Sequence, residues 1–219
     1  MLTRFLAAAA LAAILAVPSQ AQTPSPAVAP AATTAPAEKP AYKTVPVALT
    51  TSAGRIVIAL EVERAPITAA NFLRYVDQRR LDGTDFYRAF TYPGSTDGLI
   101  QGGARNDPKR ILKPIAHEPT DKTGLTHDDG AISMARGAPG SADGDFFIIM
   151  GKMGLDANPS QPGDNQGYAV FGHVTEGMDV VRAIAAAPKD PNKGVGIMRG
   201  QMLAAPVKIV TARRVAAPK

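Results

Sequence analysis

Apolar residues at every second position open the ordered part of the chain and predict a β-hairpin. Residues 45–49 carry Val, Val and Leu at alternate positions, and residues 56–60 carry Ile, Ile and Leu in the same way. The Thr-Ser-Ala-Gly sequence between them, at 51–54, is typical of a turn. A period of two is that of a strand with one face in a core, so two antiparallel strands are expected here.

A helical spacing replaces this alternation further along the chain. Four apolar residues fall at the i, i+3, i+4 and i+7 positions of one helix face: Ala69, Phe72, Leu73 and Val76. Pro66 suits the first turn of this helix, because a proline there removes no helical hydrogen bond. A second helix is predicted over residues 178–187, and Pro188 ends it.

The rest of the chain combines short apolar segments with glycine-rich loops. The predicted strands are residues 85–90, 99–102, 111–116, 131–135, 146–150, 169–174 and 207–215. Because side chains alternate along a strand, at least one of Phe146 and Phe147 is expected in the core. Strands and helices do not alternate in order, so the pattern favours an all-β barrel or sandwich with helical plugs over a doubly wound sheet.

The first 21 residues have the features of a secretory signal sequence. Arg4 gives a positive start, residues 5–17 are mainly apolar, and Ser19 and Ala21 are the small residues expected before a cleavage site. The apolar run is short for a bilayer span, and an uncleaved anchor is the alternative interpretation. We therefore expect a periplasmic protein, secreted through a cleaved signal peptide and without a membrane partner after cleavage.

Residues 22–44 are rich in Pro, Ala and Thr and contain almost no large apolar side chain. Prolines cannot donate to a helix or a central strand, so this composition predicts a disordered or polyproline-like linker. Neither an internal repeat nor a second linker follows. A single domain over residues 45–219 is therefore expected, with a monomer as the default because no long apolar edge is evident.

Composition and charge exclude several classes of function. The 219-residue chain is 45% hydrophobic and has no cysteine, which allows a sizeable core and excludes disulfides, thiolate metal sites and a cysteine nucleophile. Its net charge is +5, but the charges are mixed along the chain, so nucleic-acid binding is not expected. The three histidines are isolated, and no metal site is predicted.

Four short segments carry the candidate chemistry. They are residues 86–88 (Phe-Tyr-Arg), 99–103 (Leu-Ile-Gln-Gly-Gly), 132–136 (Ile-Ser-Met-Ala-Arg) followed by 145–148 (Asp-Phe-Phe-Ile), and 167–174 (Gly-Tyr-Ala-Val-Phe-Gly-His-Val). Their order and spacing resemble the cyclophilin family of peptidyl-prolyl cis–trans isomerases, from about Val45 to the C-terminus. The resemblance implies a mainly β fold, a closed eight-stranded antiparallel barrel capped by two α-helices.

The reaction implied by this resemblance is rotation about an X–Pro amide bond. Rotation breaks no bond, so it needs no nucleophile, metal or cofactor; the enzyme must only favour the twisted amide over both planar forms. By resemblance, Arg88 donates to the prolyl nitrogen and Gln101 helps to orient the substrate backbone. The implied partners are proline-containing polypeptides, and we expect isomerisation of exported proteins as they fold.

Six further residues occupy substrate-binding positions by the same resemblance: Phe147, Leu99, Leu155, Ala135, Tyr168 and Asp145. Phe147, Leu99 and Leu155 correspond to an apolar pocket for the proline ring, and Ala135 to the strand at its rim. Tyr168 stands where many family members carry a histidine. An aromatic ring at this position can still pack and form a hydrogen bond.

The sequence also departs from the family pattern. Asp145 replaces a glutamine, and an ionised carboxylate accepts but cannot donate, so a pairing with Arg88 or Arg136 is expected instead.

An aromatic is usual at the position of Gly98, and Phe90 or Tyr92 are the candidates to refill that space. Gly154 takes the place of the usual pocket tryptophan, residues 157–166 resemble an insertion, and weak binding of the cyclic peptide cyclosporin is expected.

Two other functions are compatible with parts of the sequence. A barrel that grips proline-containing peptides with little turnover, as a chaperone or assembly module, is favoured by Asp145 and Gly98. A secreted hydrolase could use Ser133 or Ser141 with His127 and Asp128. Their spacing does not form a nucleophile elbow, so this is the weaker of the two.

Overall fold

The computed structural model describes residues 42–105 and 107–216. The predicted signal peptide (1–21) and, apart from residues 42–44, the predicted linker (22–44) lie outside the described residues. The first strand begins at Val45.

The described residues form nine strands, all paired antiparallel. They are β1 (Val45–Thr51), β2 (Gly54–Leu60), β3 (Thr84–Thr91), β4 (Gly98–Gly103), β5 (Ala131–Met134), β6 (Asp145–Met150), β7 (Ala169–Glu176), β8 (Lys189–Asp190) and β9 (Met202–Arg214). The order β1-β2-β7-β5-β6-β4-β3-β9 closes on itself because β9 also pairs with β1. The two-residue β8 adds only to β9. The predicted closed eight-stranded antiparallel barrel is confirmed.

Three helices accompany the barrel in the described part of the chain: α1 (Pro66–Asp77), α2 (Thr120–Thr123) and α3 (Met178–Ala186). The two longer ones, α1 and α3, are the predicted helices; α2 is a single turn that the sequence pattern did not indicate. Pro66 lies in the first turn of α1, as expected. None of the described helices is long and apolar enough to cross a membrane.

Aromatic rings from helix and strands meet in the interior of the barrel. The Phe72 ring on α1 lies 5.3 Å from that of Phe146 and 5.2 Å from that of Phe171. Phe86 on β3 packs edge-on against Phe146 at 5.7 Å. All four side chains are buried. The apolar face predicted for α1 therefore closes the barrel core, because its rings fill the space between the strands.

Two predicted strands differ from the structure. Residues 111–116 form no strand; within them only Ile115 makes an isolated bridge, to Ala142. Pro114 cannot donate to a ladder, and the Leu112 N–H donates to the Tyr75 hydroxyl instead. The last strand begins at Met202, earlier than predicted, because its first half pairs with β3 and its second half with β1.

A β-bulge in β3 decides which side chains face outward. Phe86 pairs with Gly102 and Arg88 pairs with Gln101, so Tyr87 is an extra residue opposite β4. In a regular strand Phe86 and Arg88 would share a face. The bulge lets Phe86 enter the core while Arg88 points away from it, because an inserted residue reverses the alternation.

Candidate active site

Three side chains lie side by side on the outer face of the barrel wall. Arg88 on β3 pairs with Gln101 on β4, and Gln101 pairs with Phe147 on β6. The neighbouring Phe146 points to the interior, so alternation sends Phe147 outward, and the prediction that one of the two rings belongs to the core is confirmed. Register alone therefore brings together residues from three separate sequence segments.

This row of side chains forms the floor of a pocket of about 460 Å³. Its apolar lining consists of Phe90, Leu99, Ala135, Phe147, Met153, Leu155, Tyr168, Ile197 and Met198, and its polar lining of Arg88, Gln101, Arg136 and Gln201. The predicted site residues thus all line the pocket except Asp145. Among the described residues, no group of three or more His, Asp or Glu is placed to hold a metal ion.

Two glutamines fix the Arg88 guanidinium. Its Nη1 donates to Gln101 Oε1 at 2.7 Å, and its Nε and Nη2 donate to Gln201 Oε1 at 2.9 and 2.6 Å. These bonds leave about two of the five N–H donors of a guanidinium for a ligand. Burial lowers the pKa of Arg88 from its ordinary value, although an arginine stays charged at neutral pH. The pocket therefore presents a fixed, partly dehydrated cation.

Gln101 completes the polar edge of the pocket. Its Oε1 is turned to Arg88, so its amide nitrogen is the group that remains to donate to a ligand carbonyl. The side chain is almost fully buried, which restricts its movement. A charged donor and an amide donor consequently lie next to each other at one side of an apolar depression.

Aromatic contacts shape the apolar side. The Tyr168 ring meets the Phe147 ring edge-on at 5.3 Å. The Tyr168 N–H donates to the Leu155 carbonyl at 3.0 Å, which ties the two lining segments together. Phe147, Leu99 and Leu155 together form what we call the proline slot, a surface with the size and polarity for a small apolar ring.

Arg136 is a lining residue that was not predicted as part of the site. Its guanidinium lies 5.1 Å from the centre of the Tyr168 ring and donates to the Gly167 carbonyl. It also forms two 2.8 Å hydrogen bonds with Asp164, which lies in the segment 157–166 that resembles an insertion. Hydrogen bonding from Arg136 lowers the pKa of Asp164 to about 2. Arg136, held by Asp164 and Gly167, therefore packs on the Tyr168 ring and stabilises its position.

Asp145 lies outside the pocket, and its expected pairing with Arg88 or Arg136 is wrong. Its carboxylate accepts from the Tyr87 hydroxyl at 2.8 Å and from the Arg105 backbone N–H at 2.7 Å. The β3 bulge turns Tyr87 towards it. Burial raises the pKa of Asp145 above its ordinary value. This carboxylate therefore fastens β6 to β3 beside the pocket.

At Gly98 and Gly154, where the sequence departs from the family pattern, neighbouring residues line the pocket instead. Phe90 lines the pocket and Tyr92 packs edge-on against it at 4.9 Å, so Phe90 takes the aromatic role that Gly98 lacks. A Cβ at Gly98 would collide with the Phe90 carbonyl, which explains the glycine. At Gly154 a Cβ would meet no atom within 4 Å, while the adjacent Met153 lines the pocket.

Ser133 and His127 do form a hydrogen-bonded chain, but not a hydrolase site. His127 Nε2 lies 3.0 Å from Ser133 Oγ, and its Nδ1 lies 2.7 Å from Asp156 rather than near Asp128. Both Ser133 and His127 are 0% exposed, beneath Phe147, so no substrate can reach the hydroxyl. Burial lowers the pKa of His127, which keeps the ring neutral. The other candidate, Ser141, donates its hydroxyl hydrogen to the Ala138 carbonyl at 2.7 Å, and both ring nitrogens of His127 are already engaged by Asp156 and Ser133. The hydrolase hypothesis is therefore wrong.

Apart from Arg136 and Met153, the lining residues that the sequence did not indicate come from one loop, residues 191–201 between β8 and β9. Ile197, Met198 and Gln201 all belong to it. The loop has no period of two or of 3.6, so pattern analysis gives no signal for it. The only available indication is that it leads into β9, the strand that pairs with Arg88.

Comparisons with known proteins agree with this geometry. The family described as "Cyclophilin type peptidyl-prolyl cis-trans isomerase/CLD" matches residues 46–213. A peptidyl-prolyl cis-trans isomerase of Streptomyces antibioticus is 41% identical over 152 residues, 68% of this chain and 87% of that protein. One from Acinetobacter baylyi is 38% identical over 146 residues, 65% of this chain and 72% of that protein. The crystal structure of a Cryptosporidium parvum cyclophilin matches with a TM-score of 0.62 at 20% identity, over 80% of this chain and 100% of that one.

Proposed function

This chain belongs to the cyclophilin-type peptidyl-prolyl cis–trans isomerases and isomerises X–Pro bonds, and from that premise we propose that it acts on exported polypeptides as they fold in the periplasm. The barrier to amide rotation is roughly 18–20 kcal/mol, and uncatalysed X–Pro exchange takes tens to hundreds of seconds. Slow exchange of this kind limits the folding of many chains. An isomerase in the compartment where those chains fold removes the delay.

We assign the catalytic donor to Arg88. When the amide twists, its conjugation is lost and the prolyl nitrogen regains a lone pair that can accept a hydrogen bond. A guanidinium held by Gln101 and Gln201 can donate to that nitrogen without reorganising. The planar amide offers no such acceptor, so the interaction favours the transition state over both ground states. The observation that carries this assignment is the fixed position of Arg88 beside the proline slot.

The substrate is oriented by the other residues of the pocket. The proline ring enters the proline slot, where Phe147, Leu99 and Leu155 bury it. The Gln101 amide donates to a substrate carbonyl, which holds one side of the imide bond while the other turns. Tyr168, braced by Arg136, closes the side of the slot. No step requires proton transfer or a covalent intermediate.

An isomerisation assay tests these roles. We expect the purified protein to accelerate cis–trans exchange of an Ala-Pro peptide, and Arg88→Ala to lose at least about tenfold, because loss of one transition-state donor costs roughly 10²–10³ in other enzymes. Thermal stability should change little. Equal rates for the two proteins would remove Arg88 from the mechanism. Peptide binding without acceleration would favour a binding module instead.

The periplasmic location is supported by the N-terminal sequence. The apolar run at 5–17, preceded by Arg4 and followed by Ala21, has the composition of an export signal. Fractionation of a Gram-negative host expressing the full chain should yield a periplasmic protein that begins at Gln22. Leu11→Arg should hold the chain in the cytoplasm, whereas Thr23→Arg, beyond the cleavage position, should not. Unprocessed wild-type protein in the membrane would contradict the proposal.

A further inference from the structure

The 191–201 loop places two large apolar side chains at the edge of the substrate pocket. Ile197 is 87% exposed and Met198 is 39% exposed, and both line the same pocket as Arg88. They lie on a single 3₁₀ turn, Gly196–Met198. Exposed apolar patches mark interaction surfaces and ligand-binding grooves, and here the two side chains extend the apolar lining of the pocket.

Hydrogen bonds hold this turn in place against the catalytic arginine. The Gln201 Nε2 donates to the Ile197 carbonyl at 2.7 Å, while the Gln201 Oε1 accepts from Arg88. The Gly200 N–H donates to the Lys193 carbonyl at 2.8 Å, which closes the base of the loop. Gln201 therefore forms hydrogen bonds with both the turn and the guanidinium.

The order of groups across the barrel wall indicates what this turn would contact. Gln201 lies on one side of Arg88, and Gln101 followed by Phe147 lies on the other. With the proline ring in the slot at Phe147 and its nitrogen at Arg88, the turn faces a residue bonded directly to the proline. An apolar side chain there would displace water from Ile197 and Met198, and the flexible methionine can adapt to different shapes.

We propose that the Gly196–Met198 turn is a specificity wall that selects substrates with a large apolar residue next to proline, and that Gln201 is a positioning residue for Arg88. This inference rests on isomerisation at the pocket described above. To that activity it adds a preference for a large apolar residue next to proline, and it makes Gln201 a second residue that holds Arg88 in position. The preference is measured as a ratio of rates between peptides and the positioning role as a split between kcat and KM, so a general loss of activity is distinguishable from either.

Two peptide series test the specificity wall. One series varies the residue before proline and the other the residue after it, each with Ala, Leu or Phe, and exchange is followed by NMR without a coupling protease. We expect wild-type kcat/KM for Leu or Phe to exceed that for Ala by about fivefold or more in one series. Ile197→Ser combined with Met198→Ser should reduce this ratio to below about twofold.

The matched control lies in the same loop. Val195 is 89% exposed but does not line the pocket, so Val195→Ser should leave the ratio and the rates unchanged. If the double variant is unstable, Ile197→Ser alone should lower the ratio, because this side chain has almost no packing to lose. Wild-type protein that is active but treats all peptides alike would overturn the wall, and so would a double variant that keeps the preference. Inactivity towards every peptide would instead contradict the function on which the inference rests.

A kinetic split tests the positioning role. Gln201→Ala should lower kcat about tenfold with little change in KM, because the substrate still binds but the guanidinium is no longer held on its Nε side. Gln201→Glu keeps acceptor oxygens for Arg88 and should restore most of kcat. A purely structural role would give equal losses in both variants, together with a lower melting temperature, and that result would overturn the assignment.

Discussion

The Nη1 atom of Arg88 lies 2.7 Å from Oε1 of Gln101, across two adjacent strands of the barrel wall. The same guanidinium is held from the opposite side by Gln201. A planar group with acceptors at both edges cannot rotate freely, so its remaining donors point in a fixed direction. The shape of the side chain therefore matters as much as its charge.

We predict that Arg88→Lys retains the charge but not the activity. A lysine ammonium is a compact charge on a flexible stem and cannot bond both glutamines in one plane. We expect kcat/KM on an Ala-Pro peptide to fall at least about tenfold. Arg55→Lys is the control, since Arg55 is half exposed and paired with Glu176 away from the pocket. A lysine variant with wild-type activity would show that charge alone is sufficient.

Neighbouring phenylalanines should respond differently to truncation. Phe146→Ala removes a ring from the barrel core and should cost about 3–5 kcal/mol in the free energy of unfolding. Phe147→Ala opens the proline slot and should lower kcat/KM at least about tenfold per folded molecule. Urea unfolding and the isomerisation assay measure the two effects separately. A larger activity loss in Phe146→Ala than in Phe147→Ala would contradict the assigned faces.

The alternation of side chains along a strand predicted that at least one of the two phenylalanines lies in the core, and other local patterns were equally informative. The period of two placed one phenylalanine in the core, the helical spacing located α1, and the short segments located the barrel strands. These are local signals that depend on which residues are apolar. The family resemblance added Arg88, Gln101 and the slot residues, because it relates positions that are distant in sequence.

Features that depend on partners far along the chain could not be predicted. The bulge at Tyr87 is visible only once β4 lies beside β3, and it redirects Tyr87 to Asp145. This is why the expected pairing of Asp145 was wrong. Gln201 contacts Arg88 from a loop without periodicity. Residues 111–116 are apolar enough for a strand, but their polar backbone groups find other partners.

Gly154 allows a gain-of-function test of the pocket. A Cβ there meets no atom within 4 Å, and the adjacent Met153 and Leu155 both line the pocket. Gly154→Trp should therefore fit and add an indole surface at the pocket edge. We expect cyclosporin to bind the variant at least about tenfold more tightly than the wild type, measured by calorimetry. Ser160→Trp, at an exposed position outside the pocket, should leave the affinity unchanged.

The hydrogen bonds that link Asp156, His127 and Ser133 predict that the stability of the protein depends on pH. Burial lowers the pKa of His127 below the value of about 6.5 that it has in an unfolded chain. As the pH falls below about 6.5, His127 takes up a proton in the unfolded state but not in the folded state. The free energy of unfolding is therefore highest above about pH 6.5 and decreases as the pH falls towards the lower pKa of the folded state. The Ser133 hydroxyl also loses its acceptor when the ring is protonated.

Urea unfolding at pH 8 and pH 5 measures this effect. His127→Gln should show a smaller decrease in stability between the two pH values than the wild type. His127→Ala at pH 8 should cost about 1–3 kcal/mol, because the buried Ser133 hydroxyl is left without its partner. If His127→Gln and wild type lost the same stability on acidification, the buried imidazole would not be the group that titrates.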